Sequence, residues 1–471
     1  MKASKPAFAI VATACTLALG GAAAPPNDTK PAPPKPTVTV ALSHVKYVLP
    51  NGLEVILHED HRTPIVAVNV YYHVGSKDEA PRKNGFAHLF EHVMFQGSRN
   101  VGEDQFFKYL ERAGASDRNG TTNTDRTNYF ETVPSNQLEL ALWLESDRMG
   151  FLLDHANQQT FESQREVVKN ERRQNYENAP YGLVPKFIHE ALFPPGHPYR
   201  LLTIGSPEDL DAATLEDVKA FFRTFYVPNN ATLVVAGDIE PPKARALIEK
   251  YFALLPRGAP RTKPAALPVQ MKAEKRQNVA ANVELPRLIL TWAAPPALTP
   301  DDLTLDVTSE ILSVGKSSRL YKRLVYDDQI AQAVDASEWS AELGGTFEVV
   351  VTLKKGKTPE QALAAVDAEL GRLRREPVTE AELDRARTHL VSELVFRNEQ
   401  VTARADSFNY YNHLTGNPGF LGTVLARYQA TTAADVKRAV ERFLGDSARV
   451  VTSVKPDPSA PRAGKLAEVK P

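Results

Sequence analysis

The run Thr214-Leu215-Glu216-Asp217-Val218-Lys219, an apolar helical pattern behind it, and then the strand Ala231-Thr232-Leu233-Val234-Val235 return later in the chain. The second copy is Thr432-Ala433-Ala434-Asp435-Val436-Lys437, again with an apolar helix, then the strand Ala448-Arg449-Val450-Val451. The offset is 432 − 214 = 218 residues. Thr-x-x-Asp starts a helix in each copy, because the threonine hydroxyl accepts from a first-turn N–H. Each copy closes a segment of ordinary domain size. Between them, residues 256–276 are Pro-rich, basic and poor in apolar side chains, the composition of a linker. The chain therefore reads as a duplication, with a first half over 38–255, a linker over 256–276 and a second half over 277–456.

Within the first half, Tyr47-Val48-Leu49, Pro50-Asn51-Gly52 and Leu53-Glu54-Val55-Ile56-Leu57 read as strand, tight turn, strand. Asn-Gly supplies the positive φ angles that a two-residue hairpin needs. Residues 65–74 make a further strand, and helical periodicity covers 84–96, 105–113, 136–152, 159–177 and 215–224. Strands mixed with long helices, without strict alternation, predict an α+β fold. The expectation is two similar α/β-layer halves joined clamshell-like by the linker.

Composition narrows the function. With 471 residues, 42% hydrophobic and 24% charged, most of the chain folds. Lys and Arg number 56 against 57 Asp and Glu, a net charge of −1, which argues against a globally basic nucleic-acid binder. Cys15 is the single cysteine, so disulfide frameworks and cysteine-ligated metal sites are excluded. Lys2 and Lys5, an apolar run from Ala7 to Leu19 and small residues to Ala24 read as a signal peptide over 1–24. Residues 25–37 follow as a Pro-rich tether, and 457–471 are expected to be a flexible tail. No later stretch has the length and apolarity of a membrane span. An exported protein, periplasmic in a Gram-negative cell, is the expected setting.

The chemistry is concentrated in Gly85-Phe86-Ala87-His88-Leu89-Phe90-Glu91-His92-Val93-Met94-Phe95. His88 and His92 are four apart on a helical pattern, so both imidazoles project from one face and can share a metal ion. Glu91 stands next to them, placed to act on a metal-bound water without ligating. Phe86, Leu89, Phe90 and Val93 embed the opposite face. This is the inverted zinc-peptidase motif His-x-x-Glu-His. Catalytic zinc takes three protein ligands. The helix downstream offers Glu162, Glu166, Glu171 and Glu177. Gln164, Val167, Val168 and Glu171 share one face, which leaves Glu171 at the edge of the buried stripe and in need of a partner.

The motif, the Asn-Glu-Arg-Arg run from Asn170 to Arg173 and the duplicated halves resemble the pitrilysin/insulinase family of zinc peptidases, which also includes mitochondrial processing peptidases. The resemblance spans nearly the whole chain after the signal segment. It implies a third ligand roughly 75 to 80 residues beyond the motif, and Glu171 lies 171 − 92 = 79 residues on. His88, His92 and Glu171 would then hold one zinc ion per chain, with Glu91 as general base on its water. Substrate peptide would add as a β-strand along Asn119-Gly120-Thr121-Thr122, whose family counterpart lies beside the zinc, with Asn119, Gly120 and Thr121 as binding residues.

The second half lacks the motif: residues 299–312, where the repeat places it, contain no His. Gly315-Lys316-Ser317 is not a phosphate loop, since the glycine required at 310 is Glu310. The resemblance instead assigns Arg319 to substrate binding together with a Tyr about thirteen residues later, and here 319 + 13 = 332 is Gln332. This departure points to a zinc-bearing subunit of a heterodimer whose homologous partner supplies the Arg/Tyr pair, with a homodimer as second choice. His389 and His413 read as surface or packing residues. The expected activity is endopeptidase action on peptides or unfolded segments. The alternatives are a specific processing peptidase or a non-catalytic assembly subunit.

Overall fold

The computed structural model describes residues 37–261, 267 and 269–467. The expected signal peptide and tether up to residue 36, residues 262–266 and 268 of the expected linker, and 468–471 lie outside them.

The first half opens with β1 (Val45–Val48), β2 (Glu54–Glu59) and β3 (Ile65–Tyr72). Helices α1 (Phe86–Val93) and α2 (Phe106–Arg112) lead to the hairpin β4 (Ser116–Thr122) and β5 (Thr127–Pro134). Then come α3 (Leu138–Phe151), α4 (Gln158–Arg172), α5 (Val184–Leu192), α6 (Pro207–Asp211) and α7 (Leu215–Phe225). Strand β6 (Ala231–Gly237) and α8 (Pro241–Phe252) close the half. The second half runs β7 (Lys275–Ala281), β8 (Arg287–Ala294), α9 (Pro300–Ser313), β9 (Ala331–Ala341) and β10 (Gly344–Leu353). It continues with α10 (Pro359–Arg375), α11 (Glu380–Arg397), α12 (Val401–Thr415), α13 (Leu421–Ala430) and α14 (Ala433–Phe443). Strands β11 (Val450–Pro456) and β12 (Lys465–Leu466) complete it.

The sheet orders are β1-β2-β6-β3-β5-β4 and β12-β7-β11-β8-β10-β9. Their common part is a five-strand pattern, with one parallel pair in each, β2 with β6 and β7 with β11. The two Thr-x-x-Asp starts are reciprocal capping boxes on α7 and α14, each leading into the sheet's parallel strand. The molecule is thus two similar α/β layers.

Two expectations change. Leu49 N donates to Leu53 O at 2.9 Å and Gly52 N to Leu49 O at 2.8 Å, so the turn is the three residues Pro50, Asn51 and Gly52, with positive φ at Gly52 alone, rather than a two-residue turn. Asn51 is buried there and donates to Phe252 O and Leu255 O at 2.7 and 3.0 Å, which ties the loop to the end of α8. The segment expected as a flexible tail is structured through residue 467. Strand β12 pairs with β7, Ala460 and Ala463 are buried, and Tyr181 N donates to Arg462 O. It covers the open edge of the second sheet.

The halves exchange helices. Helix α12, from the second half, lies on β3, β5 and β6 of the first sheet. There Val401, Ala405 and Phe408 pack against Ile56, Ala67, Val234 and Ala236. Helix α5, from the first half, lies on β8 and β11. Its Val184 and Ile188 pack against Val279, Ala281, Ile289 and Val454.

Candidate metal centre

Helix α1 is short, and its start is built from outside. Gly85 precedes it at φ 101, a left-handed backbone that suits glycine. A Cβ on Gly85 would stand 2.7 Å from Gly205 Cα, so the close approach also demands a hydrogen there. The carboxylate of Glu79 accepts from Gly85 N at 3.0 Å and from Ala87 N at 2.9 Å. It therefore satisfies first-turn donors that the sequence leaves without a Ser, Thr or Asp cap. Burial pushes the Glu79 carboxyl up to about 8, against these same bonds. Phe86, Leu89, Phe90 and Val93 enter the core, where Phe90 stacks on Phe221 and Tyr226. The motif side chains are left on the other face.

Helix α4 packs against α1. On it Val168 is buried while Val167 is exposed, so the inward stripe is narrower than periodicity predicted. The α-helix stops at Arg172 and the last turn, Arg173–Glu177, is π-helical. Glu171 Oε2 lies 3.3 Å from His92 Nε2 and 3.6 Å from His88 Nε2. The ligand atoms of His88, His92 and Glu171 all lie within 4.8 Å of one another. Burial, helped by His92, pushes the His88 imidazole down to about 4. Burial also lowers His92, with the Glu171 charge opposing it. Both rings are thus neutral near pH 7, the form that ligates a metal. Two neutral imidazoles and one carboxylate converging within this span suit a divalent ion, and the His2Glu set is one that catalytic zinc takes. The residues fit that group.

Glu91 lies against β4, within reach of the Glu171 charge. Burial raises its carboxyl, while the nearby Thr122 hydroxyl opposes the shift. Strand β4 is the outer strand of the first sheet. Asn119, Gly120 and Thr121 pair with Phe130, Tyr129 and Asn128 of β5, beyond an irregularity between Ser116 and Asn119. Gly120 underlies Glu91: a Cβ there would meet Glu91 Cγ at 3.0 Å. Thr121 O accepts from Arg126 Nη1 at 2.8 Å. Arg319 belongs to the second half, where its guanidinium grips Glu382 through Nε at 2.7 Å and Nη2 at 3.1 Å.

Sequence reading passed over Glu79 and Arg126, and took Thr122 only as part of the substrate strand. Thr122 was legible in retrospect, since alternation puts it on the same strand face as Gly120. Glu79 was not, because its partners are backbone groups. Nor was the clasp beside the site, where buried Lys77 Nζ stands 3.6 Å from Asp125 Oδ1 and 3.3 Å from Glu342 Oε2. Tyr199 OH donates to Asp125 Oδ1 at 2.6 Å and accepts from Leu343 N at 2.9 Å. The β9–β10 turn of the second half is thereby fastened to the β4–β5 turn of the first.

Comparison with known proteins agrees with this architecture. Residues 54–200 match Insulinase (Peptidase family M16), and residues 212–390 match the Peptidase M16 inactive domain. A zinc protease, PqqE, from Helicobacter pylori is 28% identical, covering 88% of this chain and 93% of its own. A probable mitochondrial-processing peptidase subunit beta from Schizosaccharomyces pombe is 25% identical, covering 86% of this chain and 90% of its own. The crystal structure of a protease from Helicobacter pylori superposes with a TM-score of 0.82 at 27% identity, over 88% of this chain and 100% of that one. With both halves matched and the same two-layer fold, the chain belongs to the pitrilysin/insulinase family, peptidase family M16.

Proposed function

We propose that the protein is a zinc-dependent endopeptidase acting on peptides or unfolded segments. The observation that carries this reading is the convergence of His88, His92 and Glu171, with Glu91 alongside and an edge strand next to it. Zinc held by those three residues would supply polarisation of the scissile carbonyl and acidify the attacking water. Glu91 takes the proton from that water and returns it to the leaving amine. Its burial favours this cycle, because a carboxylate raised above its ordinary range is a better base. Main-chain groups of Asn119, Gly120 and Thr121 align the peptide as an added strand. Gly120 lets the Glu91 side chain lie against that strand.

The second half carries no His-x-x-Glu-His motif. Arg319 is engaged by Glu382, and position 332 is Gln rather than Tyr. These facts support a zinc-bearing subunit in a heterodimer whose homologous partner provides the missing pair, with a homodimer as the second arrangement. The processing-peptidase relative is itself named a subunit. Among the described residues no helix is long and apolar enough to cross a membrane. The amino-terminal signal pattern supports export to a periplasm.

The decisive experiment is Glu91→Gln. The variant should keep its zinc and lose about 10²- to 10⁴-fold in peptide hydrolysis. Undiminished hydrolysis overturns the assigned role.

A further inference from the structure

The second half carries no His-x-x-Glu-His, yet the duplication leaves other metal-binding side chains at the corresponding place. Helix α9 packs against α11 as α1 packs against α4. By the repeat offset of 218, Glu171 falls on His389 of α11 (171 + 218 = 389), one turn before Glu393. On the facing helix, the repeat offset of 218 carries His92 onto Glu310. His389 stands four residues before Glu393 on α11, so both side chains project from one face.

These three residues meet. His389 Nδ1 is 3.0 Å from Glu310 Oε2. Ligand atoms of Glu310, His389 and Glu393 all lie within 4.8 Å of one another, the same span as in the first half. Glu310 is buried while His389 and Glu393 are exposed, so the cluster has an inner carboxylate and an outer, solvent-accessible pair. We propose that Glu310, His389 and Glu393 form a second divalent-cation site, the duplicate of the first with its ligands exchanged.

One imidazole and two carboxylates make a harder donor set than the first site, suited to Mn2+ as well as Zn2+. Where the first site has Glu91, one residue before His92, this one has Ser309, one residue before Glu310. The Ser309 hydroxyl donates to Asp306 O at 2.7 Å. With serine in place of the Glu91 carboxylate, the site's role is structural. It ties α11 to α9, and α11 runs directly into α12, the helix that crosses onto the first sheet. His389 and Glu310 alone would make only an ion pair. Glu393 is what makes the cluster a metal site.

Metal content of the full chain separates the possibilities. Protein dialysed against buffered Zn2+ should hold one ion per chain at each of the two clusters. His389→Ala with Glu393→Gln should lose one equivalent while peptide hydrolysis is unchanged. His88→Ala with His92→Ala should lose the other. In that second background, added Mn2+ should raise the melting temperature, and adding His389→Ala should abolish the rise. Wild-type stoichiometry in the His389→Ala/Glu393→Gln protein, with no Mn2+-dependent stabilisation, reduces the cluster to an ion pair and overturns the proposal. Failure of His88→Ala/His92→Ala to lose an equivalent counts against the peptidase centre instead. Both exposed positions tolerate substitution without loss of core packing, so the variants report on binding.

Discussion

Gly120→Ala tests how Glu91 is held. The added methyl carbon would lie 3.0 Å from Glu91 Cγ and 3.1 Å from Cδ1 and Cε1 of Tyr129. Ordinary carbon–carbon contact begins at about 3.5 Å, so a neighbour must move by several tenths of an ångström. Tyr129 is fully buried, with its hydroxyl bonded to Phe90 O at 3.1 Å and its ring edge against Tyr72 and Phe95. Glu91, on the more open side, is the group that moves. A displacement of about 1 Å at a catalytic group costs on the order of 100-fold. The shift required here predicts a fall in kcat of about tenfold, or about 1.4 kcal/mol in the barrier. Zinc content should stay at the wild-type value, and the melting temperature should drop by only a few degrees. The assay is steady-state hydrolysis of a quenched fluorescent peptide, with metal content measured on the same samples. A kcat within twofold of wild type, zinc retained, refutes the reasoning, because Glu91 would then not rest on β4.

Other outcomes follow from the same geometry. Stripping the protein with a chelator should abolish peptide hydrolysis and lower the melting temperature, and zinc should restore both. Arg148 is fully buried, bonds to Glu145 in a bidentate manner and stacks 4.3 Å above Phe106 and Tyr129. Arg148→Met should leave Glu145 and neighbouring Glu131 buried without a cation, costing about 3–5 kcal/mol in a denaturant titration. Although burial opposes it, hydrogen bonds from Arg319 and Thr379 hold the Glu382 carboxyl down to about 2. A carboxyl depressed in the folded state stabilises above its unfolded value and loses that contribution as pH falls through the folded one. Acid melts should therefore weaken between the ordinary glutamate range and about pH 2. Arg319→Met should flatten that part of the profile.

What the sequence disclosed was local or periodic. The Thr-x-x-Asp starts are complete within four residues, so both caps and the duplication they mark were readable. His88, Glu91 and His92 sit within one helical turn, and their common face follows from spacing alone. Selecting Glu171 needed the phase of a helix whose exposed Val167 blurs the stripe, and the family spacing carried that choice. The rest depended on distant partners. Asn51 is set by carbonyls at Phe252 and Leu255, which anchor a turn of three residues rather than two. Ala460 and Ala463 look like tail residues until β7 offers them an edge. Helices α5 and α12 carry ordinary apolar stripes, and nothing in a stripe says which sheet it will cover.

That last feature limits how the protein can move. Each sheet is roofed by a helix that the other half donates, so swinging the halves apart would expose Phe408 and Ile56 on one side and Ile188 and Ile289 on the other. A single chain is interlocked rather than hinged. On the proposed reading as one subunit of a dimer, a gape that admits a long peptide would open between whole chains.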